Sequence, residues 1–400
     1  MKNNRLNVGL FGFGCVGEGL HEVANQSDGI KADLQKVCIK NPEKKRSISS
    51  KYFTIDPNDI LKREDLDVIV ELINDSEEAF EIVSAALSKR QDVVSANKKM
   101  IAEHFTKLYD LHIKNGGAFL YEGAVGGSIP VIRNLEEYYD NELLSKVRGI
   151  VNGSCNYILT KLGESDSDYN AVVKEAQDAG FAELDPWLDV AGFDSKYKLT
   201  ILAIHAFGLV LDPKSVLNVG IQNISEFDIQ YAKEKGLKIK LIATASRTEK
   251  GYRLYVLPTF IGKDSLFFDI NRENNAVEIE GAFSDKQFLV GKGAGSHPTG
   301  SAVLSDVSAL TYKYRYGYRK LKKRLLKGQK DGSVFLEKEF SLKLYVRYCN
   351  HAALKKIEIE KIYEKFESVN ENYVIADVKF SSLFNLTNDD SKEIFVAELN

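Results

Sequence analysis

Along the N-terminal part of the chain, apolar and polar positions arrive in alternating blocks. Residues 6–11 form a short apolar run, and Val16, Leu20 and Val23 follow at the spacing of a helix with one buried face. Residues 35–40, 66–73, 92–95 and 117–122 read as further strands, with a helix over 79–88. Strands that alternate with helices predict a doubly wound parallel sheet, an α/β arrangement. From Lys146 onward the pattern changes. A strand passes into a helix through residues 149–159, and a second helix begins near Asp194, with Leu199, Ile201, Leu202 and Ile204 on its buried side. Strand-like runs at 238–246 and 252–260 point to a mixed sheet, so a second domain is expected here. Residues 291–300 are a glycine-rich loop that opens another helix, expected to close over a nucleotide from the opposite side. Residues 328–333 read as a linker by composition, and a strand, a helix and a further strand follow them.

With 400 residues, 44% of them hydrophobic, the chain can bury two or three cores. A formal net charge of −3 gives no general pull toward nucleic acid or membranes. The N-terminus enters a strand without an apolar leader, and no stretch is apolar enough for a membrane span. Cys15, Cys38, Cys155 and Cys349 are scattered without metal-ligand or disulfide spacing, which favours a reducing cytoplasm.

Three stretches carry chemistry. Gly12-Phe13-Gly14-Cys15-Val16-Gly17 follows a strand and opens a helix, which is a dinucleotide-binding fingerprint. Gly12 permits the turn, Gly14 admits the pyrophosphate and Gly17 lets helix pack on strand. At the end of the next strand no acidic residue waits for a ribose hydroxyl. Lys40, Lys44, Lys45 and Arg46 stand there instead, so NADP is favoured over NAD. Lys98 follows the strand at 92–95, at the edge where such sheets bind ligands. The strand at 117–122 ends in Glu122 and a run of three glycines and a proline, which exposes backbone carbonyls around one carboxylate. The third stretch, residues 183–198, gathers Glu183, Asp185, Asp189, Asp194, Lys196 and Lys198 around Pro186 and Gly192. On a helix Asp194 and Lys198 are i,i+4 neighbours, and the carboxylates suit a small cationic polar ligand.

In order and spacing, Gly12-x-Gly14-x-Val16-Gly17, Ala96-Asn97-Lys98, Asn152-Gly153-Ser154-Cys155-Asn156, the Glu183 to Lys198 signature and Gly291-x-Gly293-Ala294-Gly295 resemble homoserine dehydrogenase over about residues 5–320. The resemblance implies a Rossmann-type domain over 1–135 completed by roughly 295–325, and a catalytic and dimerisation domain over 136–300. It implies reversible NAD(P)H-dependent reduction of L-aspartate 4-semialdehyde to L-homoserine, toward threonine, methionine and isoleucine, by a cytoplasmic homodimer or larger homo-oligomer. Glu183, Asp189, Asp194 and Lys98 would then hold the amino-acid substrate. Lys198 would be the acid–base residue, with Asp194 beside it and Lys98 near the nicotinamide. Asn74 and Gly295 would join the fingerprint and Lys40 at the cofactor. The family's monovalent cation, such as sodium, would lie on Glu122 and the carbonyls of Val125, Gly127 and Ile129.

Two departures stand out. Asn74-Asp75 replaces a usual glycine pair and is expected to bring side chains near the nicotinamide ribose. Residues 335–400 resemble a degenerate regulatory ACT domain, an α+β segment whose opening strand is 340–347, but Cys349-Asn350-His351-Ala352-Ala353 stands where a Pro-Gly turn belongs. Little inhibition by threonine is therefore expected, with the segment serving stability or dimerisation. A sugar dehydrogenase on the same plan would want a Glu-Lys-Pro motif near residue 97, and a silent cofactor-binding sensor would have lost Lys98, Glu183 or Lys198.

Overall fold

The computed structural model describes residues 5–27, 31–165, 168–326, 336–369, 371–386 and 393–399. The chain folds into two compact units. One comprises Met1–Asn141, Thr200–Asp212 and Gly291–Lys330, and the other Glu142–Leu199, Pro213–Val290 and Asp331–Asn400. The linker expected at 328–333 lies outside the described residues.

The first unit begins with β1 (Arg5–Phe11), α1 (Cys15–Gln26), β2 (Lys31–Cys38), β3 (Phe53–Thr54), α2 (Asn58–Leu61) and β4 (Val68–Glu71). It continues with α3 (Ser76–Ser88), β5 (Asp92–Ser95), α4 (Lys98–Asn115), β6 (Phe119–Leu120) and α5 (Val131–Glu136). Its six strands are all parallel, in the order β3-β2-β1-β4-β5-β6, which is the doubly wound sheet expected. β4 is buried along its whole length, as a central parallel strand covered on both faces must be. Strand ends differ from expectation, β4 being shorter than 66–73. β2 runs earlier than 35–40, because its ladder with β1 fixes its ends from Arg5↔Lys31 to Phe11↔Cys38. β6 is only two residues long, because Glu122–Ala124 winds into a 3-10 turn and the Tyr121 N–H goes to the Tyr316 hydroxyl at 3.2 Å.

The second unit starts with β7 (Leu144–Ile150), α6 (Gly153–Glu164), α7 (Tyr169–Asp178), α8 (Trp187–Val190) and the first half of α9 (Phe193–Phe207), which from Thr200 on belongs to the first unit. β8 (Leu217–Asn218), α10 (Glu226–Glu234), β9 (Lys238–Arg247), β10 (Tyr252–Ile261), β11 (Asn274–Gly281) and β12 (Asp285–Lys292) follow. The chain then supplies α11 (Ser296–Leu310) and α12 (Arg319–Leu326) to the first unit. It returns with β13 (Ser341–Tyr348), α13 (His351–Leu354), β14 (Ile359–Glu367), β15 (Asn372–Lys379) and β16 (Ile394–Leu399). One mixed sheet, β12-β11-β7-β9-β10-β16-β13-β15-β14 with β8 beside β10, runs through this unit.

The C-terminal segment is thus part of the second unit's sheet. Its strand order, β16-β13-β15-β14, suits an ACT-like α+β arrangement. Its outer strand β16 pairs in parallel with β10 through Thr259↔Glu398 and Phe260↔Leu399. Leu344, Val346 and Tyr348 share a core with Tyr255 and Leu257 of β10. On α10, the buried Asp228 accepts Arg347 Nε at 2.9 and 3.0 Å and the Tyr345 hydroxyl at 2.9 Å. Residues 349–353, expected to lack a turn, form one: the Asn350 side chain accepts the Ala353 N–H and caps the four-residue α13.

Arg347→Met would leave Asp228 buried and unpaired. It should destabilise the protein by about 3–5 kcal/mol, read as a lowered urea midpoint of a single transition that unfolds β10 and β13 together. A separate early transition of the C-terminal segment alone would show that it is an independent domain.

Candidate active site

In the first unit, the fingerprint forms the turn from β1 into α1. Gly12 has φ +92°, and a side chain there would press against the Leu72 carbonyl oxygen, its Cβ 2.5 Å away. A Cβ at Gly14 would meet nothing within 4 Å, so this edge of the turn is open. Gly14 caps α1 without a side-chain hydrogen bond, which leaves the first N–H groups of a twelve-residue helix turned to that space. Such a cradle fits a pyrophosphate.

Gly295 lies on the same side. It caps α11, and the next residue, Ser296, donates its hydroxyl to the Cys15 carbonyl at 2.7 Å. The helices meet where neither has a side chain: a Cβ on Gly19 would come within 2.2 Å of the Ser296 oxygen, and one on Gly300 within 2.5 Å of Leu20 N. The second glycine loop therefore stands beside the first, rather than closing from the opposite side. Two helix N-termini meet at one edge.

The other carboxyl-end loops of the sheet are braced by side chains. Asn97 caps α4 by accepting the Met100 N–H, and its amide donates to the Ile73 carbonyl at 3.1 Å, which fixes Lys98 as the first residue of α4. The Asp75 carboxylate accepts the N–H groups of Glu77 and Glu78 and caps α3, while Asn74 remains exposed. Lys40 is largely exposed, with a 3.8 Å contact to Glu78. Beneath these loops lies Glu71, fully buried, which accepts the Ser95 hydroxyl at 2.6 Å and the Ile73 N–H at 2.7 Å. Burial pushes its carboxyl up to about 7 against those two bonds.

The Glu122 turn is a separate polar centre of the first unit. Glu122 is buried and accepts the N–H groups of Ile132 and Arg133, each at 2.8 Å, at the start of α5. Its own N–H donates to Asp306, whose other oxygen accepts Arg133 Nη2 at 2.8 Å. Two interior carboxylates thus face one guanidinium, and burial, with Asp306 adding to it, pushes the Glu122 carboxyl up to about 8. A cation beside it would favour the charged form instead. Val125, Gly127 and Ile129 follow on the turn, where Gly127 has φ +56° and Ile129 is buried.

In the second unit, α9 brings Asp194 and Lys198 together. Lys198 Nζ lies 2.7 Å from Asp194 Oδ2 and donates to the Val151 carbonyl at 2.8 Å, with both side chains almost fully buried. Asn152 organises the rest. Its Oδ1 caps α6 on Cys155 N, and its Nδ2 donates to Asp189 Oδ1 and Asp194 Oδ2, both at 2.8 Å. Gly192, at φ +80°, turns the chain from α8 into α9, and the Asn218 amide holds the Ala191 carbonyl at 2.7 Å.

Of the expected substrate residues in this unit, Asp189, Asp194 and Lys198 form one hydrogen-bonded cluster. Glu183 is exposed, and its carbonyl accepts the Gln177 amide. The organising Asn152 stands in the sequence motif, but nothing in its spacing reveals that one amide spans two aspartates. Glu71 and Asp306 were likewise hidden, each reading as an ordinary polar residue of a strand or helix.

Glu71 gives a pH signature. Its carboxyl is raised from 4.5 to about 7, so the folded state holds a proton that the unfolded chain releases near 4.5. The resulting stability is lost as pH rises from 4.5 to 7 and is constant above. The stability of Glu71→Gln relative to the parent should therefore grow over that interval by about 3 kcal/mol and then level, as denaturant melts at successive pH values would show. A flat difference would contradict a buried, protonated Glu71.

Comparison with known proteins bears on the whole arrangement. The family description "Homoserine dehydrogenase, NAD binding domain" matches residues 12–122, and "Homoserine dehydrogenase" matches 130–308. Homoserine dehydrogenase of Bacillus subtilis is 35% identical over 321 residues, 78% of this chain and 74% of that one. That of Neisseria gonorrhoeae is 35% identical over 310 residues, 76% and 71% of the two chains. The crystal structure of a homoserine dehydrogenase from Thiobacillus denitrificans superposes with a TM-score of 0.85 at 26% identity, over 99% of this chain and 98% of that one. With both domain descriptions matched in order and the relatives aligned along most of their length, this chain belongs to the homoserine dehydrogenase family.

Proposed function

We propose that this chain reduces L-aspartate 4-semialdehyde reversibly to L-homoserine with Lys198 as its acid–base residue, Asp194 fixing that lysine, and Lys98 beside the substrate and nicotinamide. The observation that carries this reading is the buried Asp194–Lys198 pair. Bound NAD(P)H supplies the hydride. The aldehyde oxygen becomes an alkoxide, and an ammonium held by a carboxylate and a carbonyl is a suitable proton donor for it. In the oxidation of homoserine the same amine accepts the hydroxyl proton. Glu183 and Asp189 are assigned to the substrate's polar groups, with the Glu183 carboxylate as partner of the ammonium.

The nucleotide cradle, the absence of an acidic residue at the end of β2 and the exposed Lys40 support NADP over NAD. The buried carboxyl of Glu122 beside Asp306 supports a monovalent cation, such as sodium, with the carbonyls of Val125, Gly127 and Ile129 completing its shell. Its role would be to hold the turn. A homodimer is assigned from the family resemblance. A cytoplasmic setting fits four free cysteines, and among the described residues no helix is long and apolar enough to cross a membrane.

The direct test is spectrophotometric. The purified chain should consume NADPH with L-aspartate 4-semialdehyde faster than it consumes NADH, and loss of that preference in Lys40→Glu would tie it to Lys40. No turnover with either cofactor would defeat the assignment. Lys198→Ala should lower turnover by roughly two or more orders of magnitude with a modest change in Michaelis constant. A folded variant with near-normal turnover would remove Lys198 from the chemistry. Glu183→Ala should chiefly raise the Michaelis constant for homoserine, and an unchanged value would exclude it from the pocket.

The pairing of β16 with β10 and the Arg347–Asp228 ion pair anchor the C-terminal segment, which supports a weak response to an effector. Millimolar threonine should cause little inhibition. Strong, cooperative inhibition would contradict this.

A further inference from the structure

The side chain of Asn275 is 1% exposed, yet among the described residues neither its Oδ1 nor its Nδ2 has a hydrogen-bond partner. An amide in that position loses its hydration at both ends without replacement from the described residues, and a bound small molecule, an ordered water or a polar ligand, would satisfy it. Its surroundings identify the kind of molecule. Asn275 lies on β11 just before Ala276, which pairs with Ile150, the last residue of β7. One step further in that antiparallel register brings Asn275 level with Val151, whose carbonyl receives Lys198 Nζ. Its Oδ1 lies 3.6 Å from where a Cβ on Gly153 would stand. Gly153 is the first residue of the twelve-residue α6 and the neighbour of Asn152, which binds Asp189 and Asp194.

The opening turn of α6 carries N–H groups with no carbonyl one turn earlier in the helix, and it favours negative charge. Asn152 takes one of them, that of Cys155. A primary amide beside this turn offers a donor at one end and an acceptor at the other. That pair matches an α-amino acid zwitterion, with one end of the amide donating to the carboxylate and the other accepting from the ammonium. A plain aldehyde, which only accepts, would satisfy one end alone.

We propose that Asn275 is a further substrate-positioning residue, which with the first turn of α6 seats the α-amino and α-carboxyl groups of the substrate. This rests on the assignment of the chain as a homoserine dehydrogenase. The amide would act on the binding of the amino-acid end and leave the reacting carbon to Lys198.

The test compares the full-length parent with Asn275→Ala and with Asn275→Leu, which fills the same space without polar atoms. Steady-state homoserine oxidation and thermal unfolding are measured on all three. Hydrogen bonds to charged groups of this kind predict a rise of roughly 10-fold or more in the Michaelis constant for L-homoserine. Turnover should change less than about 3-fold and the Michaelis constant for the cofactor should be unchanged. Adding saturating homoserine should raise the unfolding temperature of the parent more than that of either variant. Without substrate, Asn275→Leu should unfold at the parent's temperature or above it, because an unsatisfied buried amide has been removed. An unchanged Michaelis constant for homoserine would overturn the proposal, and so would a large loss of stability in Asn275→Leu, since the amide would then serve the fold. A parent inactive on homoserine but stabilised by another amino acid would defeat the assignment of the reaction and not the seat.

Discussion

A lysine ammonium inside a protein must find its compensation locally, and Lys198 finds it in Asp194 one turn away and in the Val151 carbonyl. Asp194 in turn accepts a hydrogen bond from Asn152 Nδ2, which also donates to Asp189. One ion pair thereby fixes the end of β7, the start of α6, the end of α8 and the first turn of α9. Removing either charge would leave the other stranded in the interior, so the geometry is kept by the same energetics that keep the unit folded. The arrangement also holds one proton at a defined nitrogen, which is what reduction of a carbonyl requires.

The first unit meets a different constraint. A phosphate cradle made of backbone N–H groups works only where no side chain intrudes. Glycine is accordingly needed at the turn and again where α1 and α11 touch through Gly19 and Gly300. The Ser296 hydroxyl on the Cys15 carbonyl registers the second glycine loop against the first. The Glu122, Asp306 and Arg133 group ties α11, which carries that second loop, to the start of α5. The cofactor loop and the Glu122 turn are therefore built on one helix.

Much of this was legible in the sequence where periodicity and spacing carry the signal. The parallel sheet follows from apolar runs alternating with helical stripes, and the meeting of Asp194 and Lys198 follows from i,i+4 spacing on a helix. Strand ends were less legible, because the ladder with β1 determines where β2 begins and a tyrosine hydroxyl ends β6. That Asp75 caps α3 is set by the local backbone. The C-terminal segment read as a separate piece, because no local pattern announces that β16 will add to the edge of β10. The roles of Asn152, Glu71, Asp306 and Asn275 depend on partners far away in the chain.

The central claim is that an ammonium at the end of the Lys198 side chain transfers the proton. Lys198→Cys followed by alkylation with 2-bromoethylamine restores an amine on a side chain of nearly the same length. The parent chain, treated identically, controls for the four native cysteines. Turnover of the variant, low before treatment, should recover by roughly 10-fold or more, with its pH dependence displaced toward the lower pKa of the new amine. A variant that binds homoserine and cofactor yet stays inactive after complete alkylation would contradict the claim.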